Sequence, residues 1–597
     1  VIHAPFLRRP ILFTATLCVA LGTLWSCPLC AQPAVEPATA ESGEYVPDVG
    51  EIKTVAVAAV SSYSEVISDI GFAGSLADRP ELGQMLEGMI ALFTQGKGLV
   101  FIDKTKPWGV ILQTDGSQFL PIVCLPVTDF EGLLGLVRGF GIPIADGDDG
   151  VKQIATPDGK TLFVKHEDAW AYVAQSAASL AHLPTDPEGT LGKFVEDYDL
   201  GANLSVQNVP QMYREMMISL IKSGMEDGLK RQENEDDATH EARRALAEKQ
   251  IEQFEKMINE FEELAIGWAV DAQQQRTFLD VTYRFSPGST TAQRIAGYGE
   301  PRTNFAGFYQ PDAAVTMSFA TAENPDVTSE DLEQVKSMFD AARKQAEKAI
   351  DEDQDIPDDA ARDAFKAALG DFFDAAQATM ESGHMDGGAA LHLQPGALTL
   401  LAGAHLKQPE KIESGLKKMA AAAEKKPNFA GIQWNAANHA GVNFHTLSVP
   451  MPEADEDARK MFGDKVDVAI GIGADKVYVA IGHDNLGKIN QAIDASAAEP
   501  DKEVPPAEIA MSLGQIMTLA AANAKEEERE MVEAIADMLN NQAQGRDHVR
   551  MTVKLIENGL RYRFEAEEGV LRAIGKAAAE AQRKAMQQQG PQQQGPQ

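Results

Sequence analysis

The chain has 597 residues, 44% of them hydrophobic, which is ample for several packed domains. Its 89 acidic residues against 53 basic ones give a formal net charge of -36. That field repels phosphate backbones and anionic lipid headgroups, and so argues against nucleic acid as a partner.

At the start, Arg8 and Arg9 precede the apolar run ILFTATLCVALGTLW, and Ala31 offers a small residue for cleavage. This is the arrangement of a secretory signal. The expectation is a signal peptide over 1–31, an acidic linker rich in Pro and Ala over 32–44, and export to the periplasm or the exterior. The apolar run is shorter than the ~20 residues a spanning helix needs, and no later run reaches that length, so no transmembrane span is expected after signal removal. Leu24-Trp25-Ser26-Cys27 loosely resembles a lipobox, which makes lipoprotein anchoring through Cys27 the lesser alternative, because Trp25 is bulky for that position. Cys18, Cys27 and Cys30 lie in or beside the signal. Cys124, alone in the body, reads as a small buried hydrophobe of the strand PIVCLPV rather than half of a bridge or a nucleophile.

Further along, Leu82, Met85, Leu86, Met89, Ile90 and Phe93 recur at the helical period, which predicts a helix with its stripe toward a core. Trp108 to Val127 reads as a hairpin turning at Thr114-Asp115-Gly116-Ser117, and GVKQIATPDGKTLFVK as a second turning at Pro157-Asp158-Gly159. Met212–Ile221 and Ile251–Trp268 carry amphipathic stripes around a polar run. Thr328 with Asp331 makes a capping-box pattern, and Pro357-Asp358-Asp359 opens a further helix toward Met380. The closing QQQGPQQQGPQ lacks apolar residues and is expected to be a disordered tail, 586–597.

The pieces recur in order. The first hairpin returns at Ala389–Leu406 and the second as GIQWNAANHAGVNFHTLSV. Tyr172-Val173-Ala174 returns as Tyr478-Val479-Ala480, NLSVQNV as AMSLGQI, and TYRFSPGSTTAQRIAG as RYRFEAEEGVLRAIG. The spacing is about 280 residues except where PMPEADEDARKMFGDKVDVAIGIG reads as an insertion in the second half and 211–268 as a longer one in the first. The fold expected is α+β: two tandem copies of an antiparallel sheet with helices packed on one face, over 45–300 and 301–585, with long helical hairpin insertions.

Chemistry is harder to find. His-Glu-x-x-His and paired Cys-x-x-Cys are missing from the body of the chain; His392, His405, His439 and His445 lie on predicted hairpins without a ligand spacing. Asp351-x-Asp353-x-Asp355 begins like a calcium loop, but Ile356 and Arg362 stand where glycine and a bidentate Glu are needed, and Asp146–Gly150 reads as a solvated acidic loop. Gly471-Ile472-Gly473-Ala474 is followed by a strand rather than a phosphate-binding helix, so it reads as a hairpin turn. Tyr283, Phe285, Tyr562 and Phe564 alternate with Arg284 and Arg563. The period of two predicts aromatics into the core and arginines to solvent, with paired ligand-contacting strands as the sharper alternative. No catalytic, cofactor-binding or metal residues are assigned.

GLVFIDKTKPWGVIL, LPVTDFEGLLGLV, DAWAYVAQSAASLAHLPTDP and YDLGANLSVQNVPQMYR together resemble a family of large exported proteins of planctomycete-type bacteria that carries no assigned activity. The resemblance covers most of the first half and implies export and an α+β layout. The function expected is therefore a non-enzymatic binding or scaffolding protein of the cell envelope, partnered by an envelope protein, a cell-wall component or an apolar ligand. The alternatives are a carrier of an apolar ligand such as lipid and an envelope hydrolase with an unrecognised site.

Overall fold

The structure is a computed structural model. It describes residues 51–588 apart from 77–78, 158, 229–236, 323–328, 354–355, 357, 395–396, 425–428, 430, 452–458, 460–462 and 543–544. The expected signal and linker lie outside the described residues, as do Thr328, Pro357, Asp355 and most of the tail. The helix that ends the described chain runs to Gln588, three residues into that tail. Two compact units form. One is split, 48–298 with 505–597, and the other is inserted, 299–504.

The split unit begins with β1 (Lys53–Val60), helices α1 (Tyr63–Leu76) and α2 (Leu82–Phe93), and the hairpin β2 (Trp108–Thr114) and β3 (Phe119–Pro126). Then come α3 (Phe130–Gly139), the short strands β4 (Ile144–Asp146), β5 (Lys152–Ala155) and β6 (Thr161–Glu167), β7 (Trp170–Ala174), α4 (Pro187–Val195) and β8 (Leu200–Ser205). A long helix pair, α5 (Gln211–Gly228) and α6 (Asp237–Glu260), leads to β9 (Phe261–Asp271), β10 (Arg276–Phe285) and α7 (Thr290–Ala296). Both hairpins are where turn chemistry puts them: Gly116 has φ 93 and Gly159 φ 84, conformations that a side chain resists.

The inserted unit holds β11 (Arg302–Thr303), β12 (Val315–Ala320), the helix pair α8 (Ser329–Glu352) and α9 (Asp359–Glu381), β13 (Asp386–Gln394) and β14 (Ala397–His405). It continues with α10 (Pro409–Ala423), β15 (Gln433–His439), β16 (Val442–Pro450), β17 (Lys465–Ile472), β18 (Lys476–Gly482), α11 (Asn485–Ala498) and β19 (Lys502–Glu503). Asp358 caps α9 as its position predicts, accepting from the Ala361 amide at 2.8 Å. The split unit resumes with β20 (Ala507–Ser512), α12 (Leu513–Asn523), α13 (Glu526–Gln542), the hairpin β21 (His548–Ile556) and β22 (Gly559–Glu567), and α14 (Glu568–Gln588).

Every ladder traced below is antiparallel. In the split unit the sheet runs β4-β5-β6-β7-β3-β2-β1-β8-β9-β10-β22-β21-β20. In the inserted unit it runs β12-β13-β14-β18-β17-β16-β15, with β11 and β19 paired apart. The compact units divide the chain at 298/299 and 504/505. Residues 505–585, the end of the expected second repeat, lie in the same compact unit as 48–298, where β22 pairs with β10 in a continuous register from Arg276↔Glu567 to Arg284↔Gly559.

Two expectations change. Residues 450–473 are not simply an insertion: their second part is β17, which pairs with β18 as β6 pairs with β7. The stripe on α2 does not face a core, since Met85 and Met89 are exposed and Phe93 is 71% exposed.

Candidate binding face: the two sides of the split-unit sheet

Successive strand residues point to opposite faces, so cross-strand pairing shows which side chains share a surface. On one face β10 presents Arg276, Phe278, Asp280 and Thr282, and β22 presents Arg561, Arg563, Glu565 and Glu567. Asp280, only 1% exposed, is gripped by Arg563, whose Nε donates to Oδ1 at 2.8 Å and whose Nη2 donates to Oδ2 at 2.7 Å. The Tyr198 hydroxyl donates to the same Oδ2 at 2.9 Å, and Arg561 stands 3.9 Å away. The hydrogen bond to Asp280 pushes the Arg563 guanidinium up. Burial, followed by the Asp280 charge, pushes the Tyr198 phenol up to about 12. Tyr198 reaches the aspartate across Gly267, where a Cβ would meet its ring at 2.5 Å. The Arg563 guanidinium also lies 4.0 Å from the Phe278 ring centre.

The pattern continues outward on this face. Glu565 accepts from Arg276 and, at 3.0 Å, from Arg550. Glu567 accepts from the His548 amide at 3.0 Å and lies 3.3 Å from its Nδ1. The hydrogen bond to Glu567 raises His548 above the usual imidazole range. Burial alone would lift Glu567, but the His548 hydrogen bonds outweigh it and hold that carboxyl low. Each of these carboxylates faces a cation at contact distance, so the ladder fixes charges in place and leaves no poised general base.

The opposite face is apolar in successive cross-strand rows. In one, Trp108 opposes Val60, Val60 opposes Leu200, and the row continues through Trp268, Leu279, Phe564 and Met551 to Ile509. In the next, Val110, Ala58, Ala202, Ile266, Val281, Tyr562, Val553 and Ala507 follow the same strands. A third row, at Tyr283, Leu560 and Leu555, packs with Phe285, Ala292 and Ile295. The first two lie open over much of their width: Trp268 is 37% exposed, Phe564 43% and Ile266 44%, with Trp108, Val110, Leu200 and Leu279 exposed beside them. Scattered apolar residues on a surface are ordinary, whereas a contiguous apolar patch of this extent is uncommon on a monomer.

The repeated Tyr-Arg-Phe stretches therefore do not follow the expected pattern. Phe285 is buried, and Tyr283 and Tyr562 meet edge to face at 5.9 Å. Phe564, however, faces outward, and Arg563 turns to Asp280 rather than to solvent, while Arg284 bonds Glu263 at 2.6 Å. A buried carboxylate on the neighbouring strand explains the difference, because Asp280 needs a cation more than Arg563 needs water. The signal was present in the alternation of LRYRFEAE and RTFLDVTYRF, whose two faces differ in polarity. What the alternation lacks is any mark of which face is covered.

Elsewhere the residues singled out in the sequence stand apart. His392 bonds Gln310 at 2.6 Å, His439 bonds Asp494 at 2.7 Å, His445 accepts from the Asn435 amide at 3.1 Å, and His405 lies 3.8 Å from Asp475 beside His384. No cluster able to hold a metal ion occurs among the described residues. Cys124 is buried, and burial pushes its thiol up to about 12. Gly471 lies within β17 opposite Tyr478, and Gly473, whose amide donates to the Lys476 carbonyl at 2.8 Å, opens the tight turn to β18. Asp146 pairs with Lys152 at 2.5 Å. A hollow of about 320 Å³ between Glu51, Lys53, Asp115, Gln207 and Arg214 lies at the turn end of β2 and β3. Among the described residues no helix is long and apolar enough to cross a membrane. Comparison with protein-family models, curated proteins and solved structures finds no match to this chain.

Proposed function

We propose that the protein is an exported, non-enzymatic binding or scaffolding protein of the cell envelope whose working surface is the apolar face of β1, β8, β9, β10 and β22. The observation that carries this reading is the pair of uncharged rows running from Trp108 and Val110 across the sheet, exposed where an antiparallel sheet ordinarily presents polar residues. Export rests on the leader-like N-terminal sequence and the family resemblance. An open face suits a partner with an extended surface of its own, since a small molecule lying there would keep much of its apolar area in water. The expected partner is thus a protein surface, and the envelope supplies the setting.

Tandem duplication is part of the proposal and is supported by topology. The order β1-β2-β3-β7-β6-β5-β4 is matched by β12-β13-β14-β18-β17-β16-β15, and β8-β9-β10 by β20-β21-β22. Helix pairs fill the same two connections in both copies: α1–α2 and α8–α9 after the first strand, α5–α6 and α12–α13 after the eighth. The lengthened pair differs, α5–α6 in the first copy and α8–α9 in the second, which accounts for most of the drift in spacing.

The test is binding of an environment-sensitive apolar dye to the folded protein. The proposal predicts saturable fluorescence enhancement that falls at least about tenfold in affinity in Trp268→Glu with the fold retained. At a dilution that keeps the chains monomeric, a folded wild type that takes no dye, or a Trp268→Glu variant that binds it unchanged, removes the proposal.

A further inference from the structure

We infer that the partner of this apolar face is a second copy of the same chain, two sheets stacking face to face into a dimer. The inference rests on the binding reading above and names its occupant. Between β2 and β20 the rows cross seven inter-strand steps of about 4.8 Å, or about 34 Å, and successive rows lie about 7 Å apart. Val553 and Ala507 are already buried, so the two rows offer roughly 400 Å² in projection, and the flanking row of Val270, Ala566 and Met511, which reaches only from β9 to β20, brings the footprint to roughly 540 Å². Corrugation by Trp and Phe side chains adds to that, which moves the surface toward the ~800 Å² per partner of a standard stable interface.

Composition and charge select the occupant. The rows contain Trp108, Trp268, Phe564 and Tyr562 and no Asp, Glu, Lys, Arg or His, the signature of an interface core. A chain of net charge -36 repels its own copies wherever they meet through charged surface. This face is one through which two such chains can join without burying like charges. The same net charge opposes docking on anionic lipid headgroups, and two antiparallel sheets of one twist stack naturally at about 10 Å. The contact is isologous, each Leu279 and Trp268 set packing against the partner's equivalent rows, so it closes at two copies rather than growing into a filament.

The experiment is sedimentation equilibrium of the wild type, Trp268→Glu, Leu279→Glu and the control Leu92→Glu, whose site on α2 is 79% exposed and outside the rows. Circular dichroism checks the fold of each. The dimer predicts twice the chain mass for the wild type and the control at micromolar concentration, and a dissociation constant raised at least about a hundredfold in the two face variants, because each buries an unpaired carboxylate in each copy. Should either glutamate unfold the sheet, Leu279→Cys replaces it. Its maleimide labelling must slow as protein concentration rises through the dimer range. A wild type that stays monomeric up to about 100 µM, or a dimer indifferent to both glutamates and leaving the thiol of the Leu279→Cys variant equally reactive at all concentrations, overturns the inference. Dye binding separates the two readings: a monomer whose dye binding is lost in Trp268→Glu ends the dimer and keeps the binding face, whereas a monomer that takes no dye ends both.

Discussion

The strands β17 and β18 of the inserted unit and the strands β9, β10 and β22 of the split unit are built from the same alternation and come to opposite ends. In the inserted unit both faces are packed. Ala469, Tyr478 and Ala480 lie under Phe305, Phe308 and Ile489 on one side, while Val468, Ile470, Ile472 and Val477 meet Ala375, Ile412 and Leu416 on the other. Helix α10 is held there by ion pairs to α9, Lys411 to Asp374 at 2.6 Å and Lys418 to Asp371 at 2.5 Å. On β9, β10 and β22 of the split unit the charged face is the one shielded, down to 1% exposure at Asp280, and the apolar face is the one left to water. A strand's hydrophobic pattern thus says that one face differs from the other, and only the helices decide which is the core.

The largest expected effect that sharpens this contrast is a cavity in the inserted unit. Phe444 is fully buried, and Phe444→Ala should cost about 4 kcal/mol in the transition of that unit. The matching truncation on the open face, Phe564→Ala, should cost only about 1–2 kcal/mol, because nearly half of the ring is already in water. Denaturant melts followed by probes in each unit measure the pair, and equal costs would erase the distinction between covered and open rows. Next comes the charged face. Arg563→Ala leaves Asp280 buried with only Tyr198 and the more distant Arg561, and should destabilise the split unit by about 3 kcal/mol, while Tyr198→Phe should cost about 1 kcal/mol. A harmless Arg563→Ala would show that the ladder is surface decoration.

Smaller effects follow from pH. His548 has its folded pKa raised, so its contribution is complete below the unfolded value and fades as pH rises through the folded one. Glu567 is lowered, so its contribution is present above its unfolded value and fades as pH falls through the folded one. Their pairing should support the split unit most strongly in mildly acid solution and weaken on the way to pH 8.5, and His548→Gln should flatten that decline. Asp69 works with the same sign for a different reason. Burial, then the neighbouring Asp199, pushes its carboxyl up to about 7, so the folded state holds a proton that the unfolded chain has released. Asp69→Asn should therefore melt higher than wild type at pH 8 and lose that advantage near pH 4; a variant that melts lower at pH 8 would contradict the assignment.

Much of the local structure was legible because local chemistry dictates it. The β2–β3 hairpin turns where Gly116 permits positive φ, and α9 starts where Asp358 can cap it. The recurrence of Tyr-Val-Ala picked out β7 and β18, strands in matching places in their sheets. The destination of β22 was not legible, because strand pairing between residues 276 and 567 leaves no mark in either segment alone. Nor was β17, whose VDVAIGIG reads as well for a loop insertion as for a strand until β18 is seen beside it. The α2 stripe and Phe564 misled for one reason: periodicity groups side chains on a face and is silent about what, if anything, packs against it.

The measurement that bears most directly on the open apolar face is collisional quenching of Trp268 in a variant whose other tryptophans are replaced by phenylalanine, at a dilution where chains do not associate. An open face predicts red-shifted emission, ready quenching by acrylamide, and a blue shift with loss of quenching as concentration rises. A Trp268 that is blue-emitting and shielded at every dilution would mean that the face is already covered within one chain, and the binding surface described for it would not exist.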